Sequence, residues 1–110
     1  MGGQRMASAS LLEIEKSLKL LCTDRAIPID SLLFFGSQKE ERELINERDV
    51  DVLLISPAFE GKDVFQRSAM MKGIHRSMVK QFMVPFDIIL CSSSEWKACS
   101  SPLLFAIKNL

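Results

Sequence analysis

The sequence is short of the residues that mark disordered chains, disulfide scaffolds and strongly charged proteins. It has 4 prolines and 5 glycines among 110 residues, which argues against a disordered chain. Its 3 cysteines are an odd number without C-x-x-C spacing, and there is 1 histidine, so neither a disulfide framework nor a zinc site is indicated. Its 14 basic and 14 acidic residues balance, so bulk charge gives no attraction to nucleic acid or to an anionic membrane.

A long uninterrupted apolar run is also missing. Charged residues interrupt the most apolar N-terminal stretch, Leu11–Cys22, so we expect no secretory or membrane-spanning segment there and a cytoplasmic protein. A chain of 110 residues has room for one core. We therefore predict a single domain over residues 10–110, preceded by a flexible leader, Met1–Ala9.

Helix signals occur at four places in the chain. Ser10 with Glu13 and Ser92 with Glu95 have the spacing of capping boxes, which open helices. Apolar residues at spacings of three and four predict an amphipathic helix from Asp63 to about Phe82, weakened by Gly73. A proline is favoured as the first residue of a helix, and Pro102 is well placed to open a last one, running to Leu110.

Three apolar runs predict strands: Ser31–Phe35, Asp49–Ser56 and Pro85–Cys91. Between the first two lies the charge-dense segment Gln38–Arg48, which we interpret as a short exposed helix or a loop. The resulting order of elements predicts an α/β or α+β domain with a small sheet. A chain of this length leaves one sheet face or one edge open for a ligand or partner.

Three carboxylates stand out as candidates for metal binding. Asp49 and Asp51 are two apart in a strand, so they project from one face and repel each other unless a cation lies between them. Asp87 interrupts an otherwise apolar strand, where a lone buried carboxylate is costly unless it is paired or metal-bound. Such hard oxygen ligands suit Mg²⁺ or Mn²⁺. Opposite them, Gly36 and Ser37 would offer backbone N–H groups and a hydroxyl to a phosphate.

Gly36-Ser37, Asp49-x-Asp51 and Asp87 lie in this order within the stretch Leu33–Cys91. The pattern resembles the DNA polymerase β-like nucleotidyltransferase superfamily, and most of all its small prokaryotic members, which are often encoded beside a HEPN-domain partner. The resemblance implies a mixed sheet flanked by helices, the nucleotidyltransferase fold. It also implies transfer of a nucleoside monophosphate from a nucleoside triphosphate such as ATP to an acceptor hydroxyl, on a partner protein or, as the lesser alternative, on a small molecule.

The resemblance also implies a role for each site residue. Asp49 and Asp51 would hold two metal ions, and Asp87 would hold one of them and accept the acceptor's proton. Gly36 and Ser37 would contact the β- and γ-phosphates, with Lys39 supplying positive charge nearby. The alternative is a protein of weak or no activity that caps a HEPN-type toxin as an antitoxin. In either case we expect a HEPN-type partner or a homo-oligomer, with RNA as a lesser possibility.

The remaining distinctive residues are interpreted as structural. His75 is expected at the surface or in helix packing, and Trp96 in packing. A row of basic residues is expected to form a solvated helix face, with an acidic partner or RNA as the alternative; it consists of Lys62, Arg67, Lys72, Arg76 and Lys80.

Overall fold

The computed structural model describes residues 10–35, 50–99 and 101–109. Within them the elements are α1 (Leu11–Asp24), β1 (Ser31–Phe35), β2 (Val50–Ile55), α2 (Val64–Phe82), β3 (Phe86–Cys91), α3 (Ser93–Ala98) and α4 (Pro102–Lys108), with a short 3₁₀ turn at Pro57–Phe59. The leader Met1–Ala9 and the charge-dense segment Gln38–Arg48 lie outside the described residues.

The helices begin where side chains satisfy their first N–H groups. The hydroxyl of Ser10 accepts a hydrogen bond from the N–H of Glu13, and the Glu13 carboxylate accepts one from the N–H of Ser10. Ser92 and Glu95 form the same reciprocal pair at α3, as the sequence predicts. A third capping box, Asp63 with Gln66, opens α2.

The three described strands form one mixed sheet in the order β1-β2-β3. β1 runs antiparallel to β2, with Phe35 opposite Asp51, and β3 runs parallel to β2, with Asp87 opposite Asp51. This arrangement confirms the predicted α+β class with a small mixed sheet flanked by helices. It also places β3 at one edge of the sheet.

Helices cover both faces of the central strand. α1 and α2 pack on the face that carries Val50, Val52 and Leu54. On the other face Leu53, Ile55 and Cys91 pack with α4 and Trp96, which confirms the packing role predicted for Trp96. A strand buried on both faces needs apolar residues at successive positions, and this explains the apolar run Val52–Ile55 that follows Asp51 in β2.

Gly73 has a packing role as well as a cost to the helix. It lies inside α2, where glycine is less favourable than alanine. A Cβ atom at this position would collide with the guanidinium of Arg25, which follows the C-terminal end of α1. The small residue therefore makes room for Arg25, whose Nη1 lies 3.5 Å from the carbonyl oxygen of Met70.

Candidate functional site

Two of the predicted site residues, Asp51 and Asp87, are neighbours in the sheet. They occupy matching positions on the parallel strands β2 and β3, and adjacent strands lie about 4.8 Å apart. Both stand on the sheet face that packs against α4, on the side of Leu53 and Ile89. The predicted proximity of these two carboxylates is therefore present in the fold.

Asp87 differs from its expected environment. We expected a buried carboxylate, but its side chain is exposed at the start of β3, while its neighbour Phe86 is buried. Because water solvates the Asp87 carboxylate, its charge does not need a metal ion to be stable at this position. Sequence reasoning missed this because it treated every position of an apolar strand as buried, although side chains at a strand end alternate between core and solvent.

The other predicted site residues, Gly36, Ser37, Lys39 and Asp49, lie outside the described residues. Among the residues that the structure does describe, no three histidine, cysteine, aspartate or glutamate side chains come together as a metal site would require. The predicted Mg²⁺ or Mn²⁺ site at Asp49, Asp51 and Asp87 therefore stays a prediction.

The described residues instead assemble a groove where α2 runs along the outer edge of β3. Two α2 side chains reach this edge. Nε2 of His75 lies 2.9 Å from the carbonyl oxygen of Phe86, and Nη1 of Arg67 lies 3.5 Å from that of Leu90. Eight residues of helix rise about 12 Å and four residues of strand about 13 Å, so the helix and the strand stay in step over this length.

The backbone of β3 turns alternate residues toward this groove. The carbonyls of Pro85 and Cys91 accept hydrogen bonds of 3.0 Å from Val50 and Ser56 on the β2 side. Residues of odd number thus face β2, and the N–H and C=O groups of Phe86, Ile88 and Leu90 face outward. His75 and Arg67 engage the outer carbonyls at the two ends, and no group in the described ranges pairs with the outward N–H and C=O of Ile88.

The groove consists of two adjoining hollows, each about 460 Å³ in volume. Ser68, Ile88 and Leu90 line both. The first extends past Ala69 to Lys72 and His75, and the second past Arg67 to Lys62 and Glu95. The ring of Phe65 is 81% exposed beside the first hollow. This is an apolar floor with a polar rim, as binding clefts commonly have.

Arg67 closes one end of the groove through an ion pair. Its Nη1 lies 2.8 Å from Oε1 of Glu95 and its Nη2 lies 3.2 Å from Oε2, a bidentate arrangement. The Arg67 side chain is only 12% exposed, and its guanidinium lies 5.9 Å from the ring centroid of Phe59. The prediction that Arg67 belongs to a solvated helix face is therefore wrong, because this residue joins α2 to α3.

Glu95 is held in its charged form. The hydrogen bonds from Arg67, and next the one from the backbone N–H of Ser92, keep the pKa of its carboxyl below the ordinary glutamate value. The negative charge of Glu95 is thus committed to Arg67 and to the cap of α3. It does not offset the other cations along the groove.

His75 is placed as the sequence indicates, at the surface and in contact with a neighbouring element. Its exposed ring lies at the groove and bonds to the Phe86 carbonyl.

One feature of the α2 sequence could have indicated the groove. Two small residues, Ser68 and Ala69, occupy positions of the helix that face the strand edge.

Comparisons with known proteins bear on the fold. No family model and no curated protein matches the sequence. A solved structure, the BolA domain of SufE1 from Arabidopsis thaliana, matches with a TM-score of 0.50 over 86% of this chain and 99% of that chain, at 16% sequence identity. At this identity the likeness concerns the fold alone.

In the described residues, no helix combines the length and the apolar character needed to cross a membrane.

The structural match contradicts the proposed family. The fold is similar to that of a BolA domain, so membership of the nucleotidyltransferase superfamily is wrong, and with it the ATP-dependent transfer of a nucleoside monophosphate. Capping of a HEPN-type toxin is likewise without support. The resemblance depended on five residues in three short motifs. Gly-Ser after one strand and Asp-x-Asp at the start of the next fit many strand connections, since both also favour turns and strand ends.

Proposed function

We propose that this protein is a binding module that takes up an extended polypeptide segment of a partner along the outer edge of β3. The observation behind the proposal is the outward N–H and C=O of Ile88, which lie at the middle of the groove without a partner among the described residues. An extended chain satisfies such a pair by adding one strand to the sheet.

The side chains of the groove suit an added strand. Ile88 and Leu90 are half-buried, and Ser68 and Ala69 leave space between helix and strand edge. A side chain of the added strand would therefore find apolar surface on the α2 side of the sheet. Phe65, which is almost fully exposed, would lose much of its contact with water against it.

His75 and Arg67 limit the length of the interaction. Each already occupies an outward carbonyl of β3 at one end, so the strand edge offers about five residues for pairing. An interface of that length is small, and small interfaces belong to transient complexes. The partner would thus bind reversibly through a short segment.

The proposal is tested with a neutral peptide in which threonine alternates with valine over seven residues. Titration into the isotopically labelled protein should shift the backbone amide signals of Ile88 and Leu90 in NMR spectra. Two further peptides are N-methylated, one at the central residue and one at the next residue. One of the two should bind more weakly, because alternate N–H groups of a strand face its neighbour and one of these donors is then lost. Shifts confined to other surfaces, or equal affinity for all three peptides, would contradict strand addition.

Two variants of one residue complete the design. Ile88→Pro removes the outward N–H but no hydrogen bond to β2, and proline is tolerated at such edge positions. Ile88→Val keeps the N–H with a smaller side chain. We expect binding to be lost in Ile88→Pro and retained in Ile88→Val, with thermal melting used to verify that both variants fold.

A further inference from the structure

The charges of this domain are unevenly distributed, although the whole chain is neutral. The 19 residues of α2 include arginines, lysines and His75 but no aspartate or glutamate. Lys72, Arg76 and Lys80 recur every four residues, so they form one stripe along the helix, which we call the basic stripe. All three are exposed, and Lys72 lines the groove.

Within the part of the chain that the structure describes, the basic stripe forms no ion pair. Two ion pairs occur in the described parts of the chain, Arg67 with Glu95 and Lys19 with Glu15, and neither involves the stripe. Asp87, the acidic residue of β3, points to the face that packs against α4 and is therefore turned away from α2. Positive charge is thus left beside the groove.

The spacing of the basic stripe matches that of an extended chain. Residues four apart on a helix are about 6 Å apart along its axis. Side chains two apart on a strand project to the same side about 6.7 Å from one another. Since α2 runs beside β3 and His75 lies level with Phe86, alternate side chains of an added strand would follow Lys72 and Arg76 with little mismatch, while Lys80 lies more than one helical turn beyond that end.

We infer that the partner segment carries acidic side chains at alternate positions, next to an apolar residue. The acidic side chains face the basic stripe, and the apolar side chain packs at the other end of the groove, against Phe65, Ala69 and Leu90. This inference rests on the proposed function and specifies the chemistry of the partner. Opposite charges across the interface favour association and exclude basic segments.

The test compares peptides that differ only in charge. Each peptide has seven residues, with serine at the odd positions and with valine, glutamate and glutamate at positions 2, 4 and 6. A second peptide has these residues in reversed order, because the added strand could run parallel or antiparallel to β3. The matched controls carry glutamine or lysine in place of glutamate. Exposed ion pairs contribute about 0.2–1 kcal/mol each, so two pairs should make the glutamate peptide bind about twofold to thirtyfold more tightly than the glutamine peptide.

Charge reversal on the protein provides the decisive control. In Lys72→Glu combined with Arg76→Glu, the preference should invert, so that the lysine peptide binds best. Lys97→Glu, which reverses an exposed lysine on α3, should leave the original preference in place. The advantage of the glutamate peptide should also fall between 20 mM and 500 mM salt, because salt screens exposed charges.

The possible outcomes separate the inference from the proposed function. Equal binding of all peptides, with shifts at Ile88, would overturn the acidic partner and leave strand addition in place. Binding of no peptide would overturn both. Binding of single-stranded oligouridylate in preference to the glutamate peptide would identify RNA as the ligand of the basic stripe. Self-association in sedimentation experiments would identify a second copy of the chain as the partner. Either result would overturn the inference.

Discussion

Arg67 on α2 and Glu95 on α3 form a bidentate ion pair across 28 residues of sequence. The arginine is 12% exposed and the glutamate 38%, so one partner is nearly buried while the other still meets water. The loss of Glu95 would leave a buried guanidinium without its counterion. Breaking an ion pair in this way is costly, even where replacing the whole pair would not be.

The first prediction concerns the free energy of unfolding. Glu95→Gln removes the charge and keeps a side chain that can still cap α3. We expect a loss of about 1–3 kcal/mol, less than for a fully buried pair because Glu95 is partly exposed. Urea unfolding measures the change.

The exposed pair of Lys19 and Glu15 is the matched control. Their nitrogen and oxygen are 2.9 Å apart, and their side chains are 53% and 35% exposed. Glu15→Gln should cost no more than about 0.5 kcal/mol, as is usual for pairs four residues apart on a helix. Equal losses in the two variants would contradict a special role for Arg67.

The second prediction concerns how the difference in unfolding free energy between wild type and Glu95→Gln depends on pH. The folded protein has a Glu95 pKa below the ordinary 4.5, chiefly because Arg67 bonds to the carboxylate. A carboxyl whose pKa is lower in the folded than in the unfolded protein stabilises the folded state at every pH above its unfolded pKa. This contribution is lost as the pH falls through the folded pKa. Wild type and Glu95→Gln should therefore differ by a constant amount above pH 5 and converge in more acidic buffer.

Glu60 makes the comparison with a variant necessary. Its pKa is also lowered, first by the backbone N–H of Ser94 and then by the Ser94 hydroxyl, so wild type alone would show both effects. Subtracting the Glu95→Gln curve removes the contribution of Glu60. A difference that does not change between pH 7 and pH 3 would contradict the assignment to Glu95.

The third prediction concerns the reactivity of the three thiols. Burial raises the pKa of both the Cys22 and the Cys91 thiol to about 11, whereas Cys99 is only half-buried at the end of α3. Since the thiolate is the reactive form, iodoacetamide at pH 8 should modify Cys99 first. Peptide mass mapping over time identifies the order, and all three sites should react at similar rates in denaturant. Early modification of Cys22 in the native protein would contradict its burial.

Local signals predicted the elements well. Ser10 with Glu13 and Ser92 with Glu95 mark helix starts because a capping box involves residues close in sequence. The apolar run that begins at Pro85 likewise predicted β3. These features depend on short-range chemistry, which the sequence displays directly.

The candidate site was much harder to predict. The groove depends on the outward direction of the Ile88 backbone and on the reach of Arg67 to Glu95, both of which are set by how distant segments pack. Asp87 was assigned to a buried site from its apolar neighbours, although its own position at the strand start exposes it. Sequence motifs identify residue types, but tertiary packing decides which of them meet.

The last prediction concerns Gly73, where helix propensity and packing oppose each other. Alanine is favoured over glycine inside a helix by about 0.8–1 kcal/mol. The added methyl group would meet the end of the Arg25 side chain, which is exposed and flexible and can turn toward water. The cost of that movement is a long hydrogen bond of 3.5 Å to Met70, so we expect Gly73→Ala to stabilise the protein by about 0.5–1 kcal/mol.

A double-mutant cycle separates the two effects. Urea unfolding of Gly73→Ala, Arg25→Ala and the double variant gives the effect of the methyl group with and without its neighbour. In the Arg25→Ala background the gain should reach the full helix-propensity difference, since nothing then has to move. If Gly73→Ala destabilises the wild type and stabilises only the Arg25→Ala protein, the contact of Arg25 with α2 outweighs helix propensity. The expectation that the arginine yields at little cost would then be wrong.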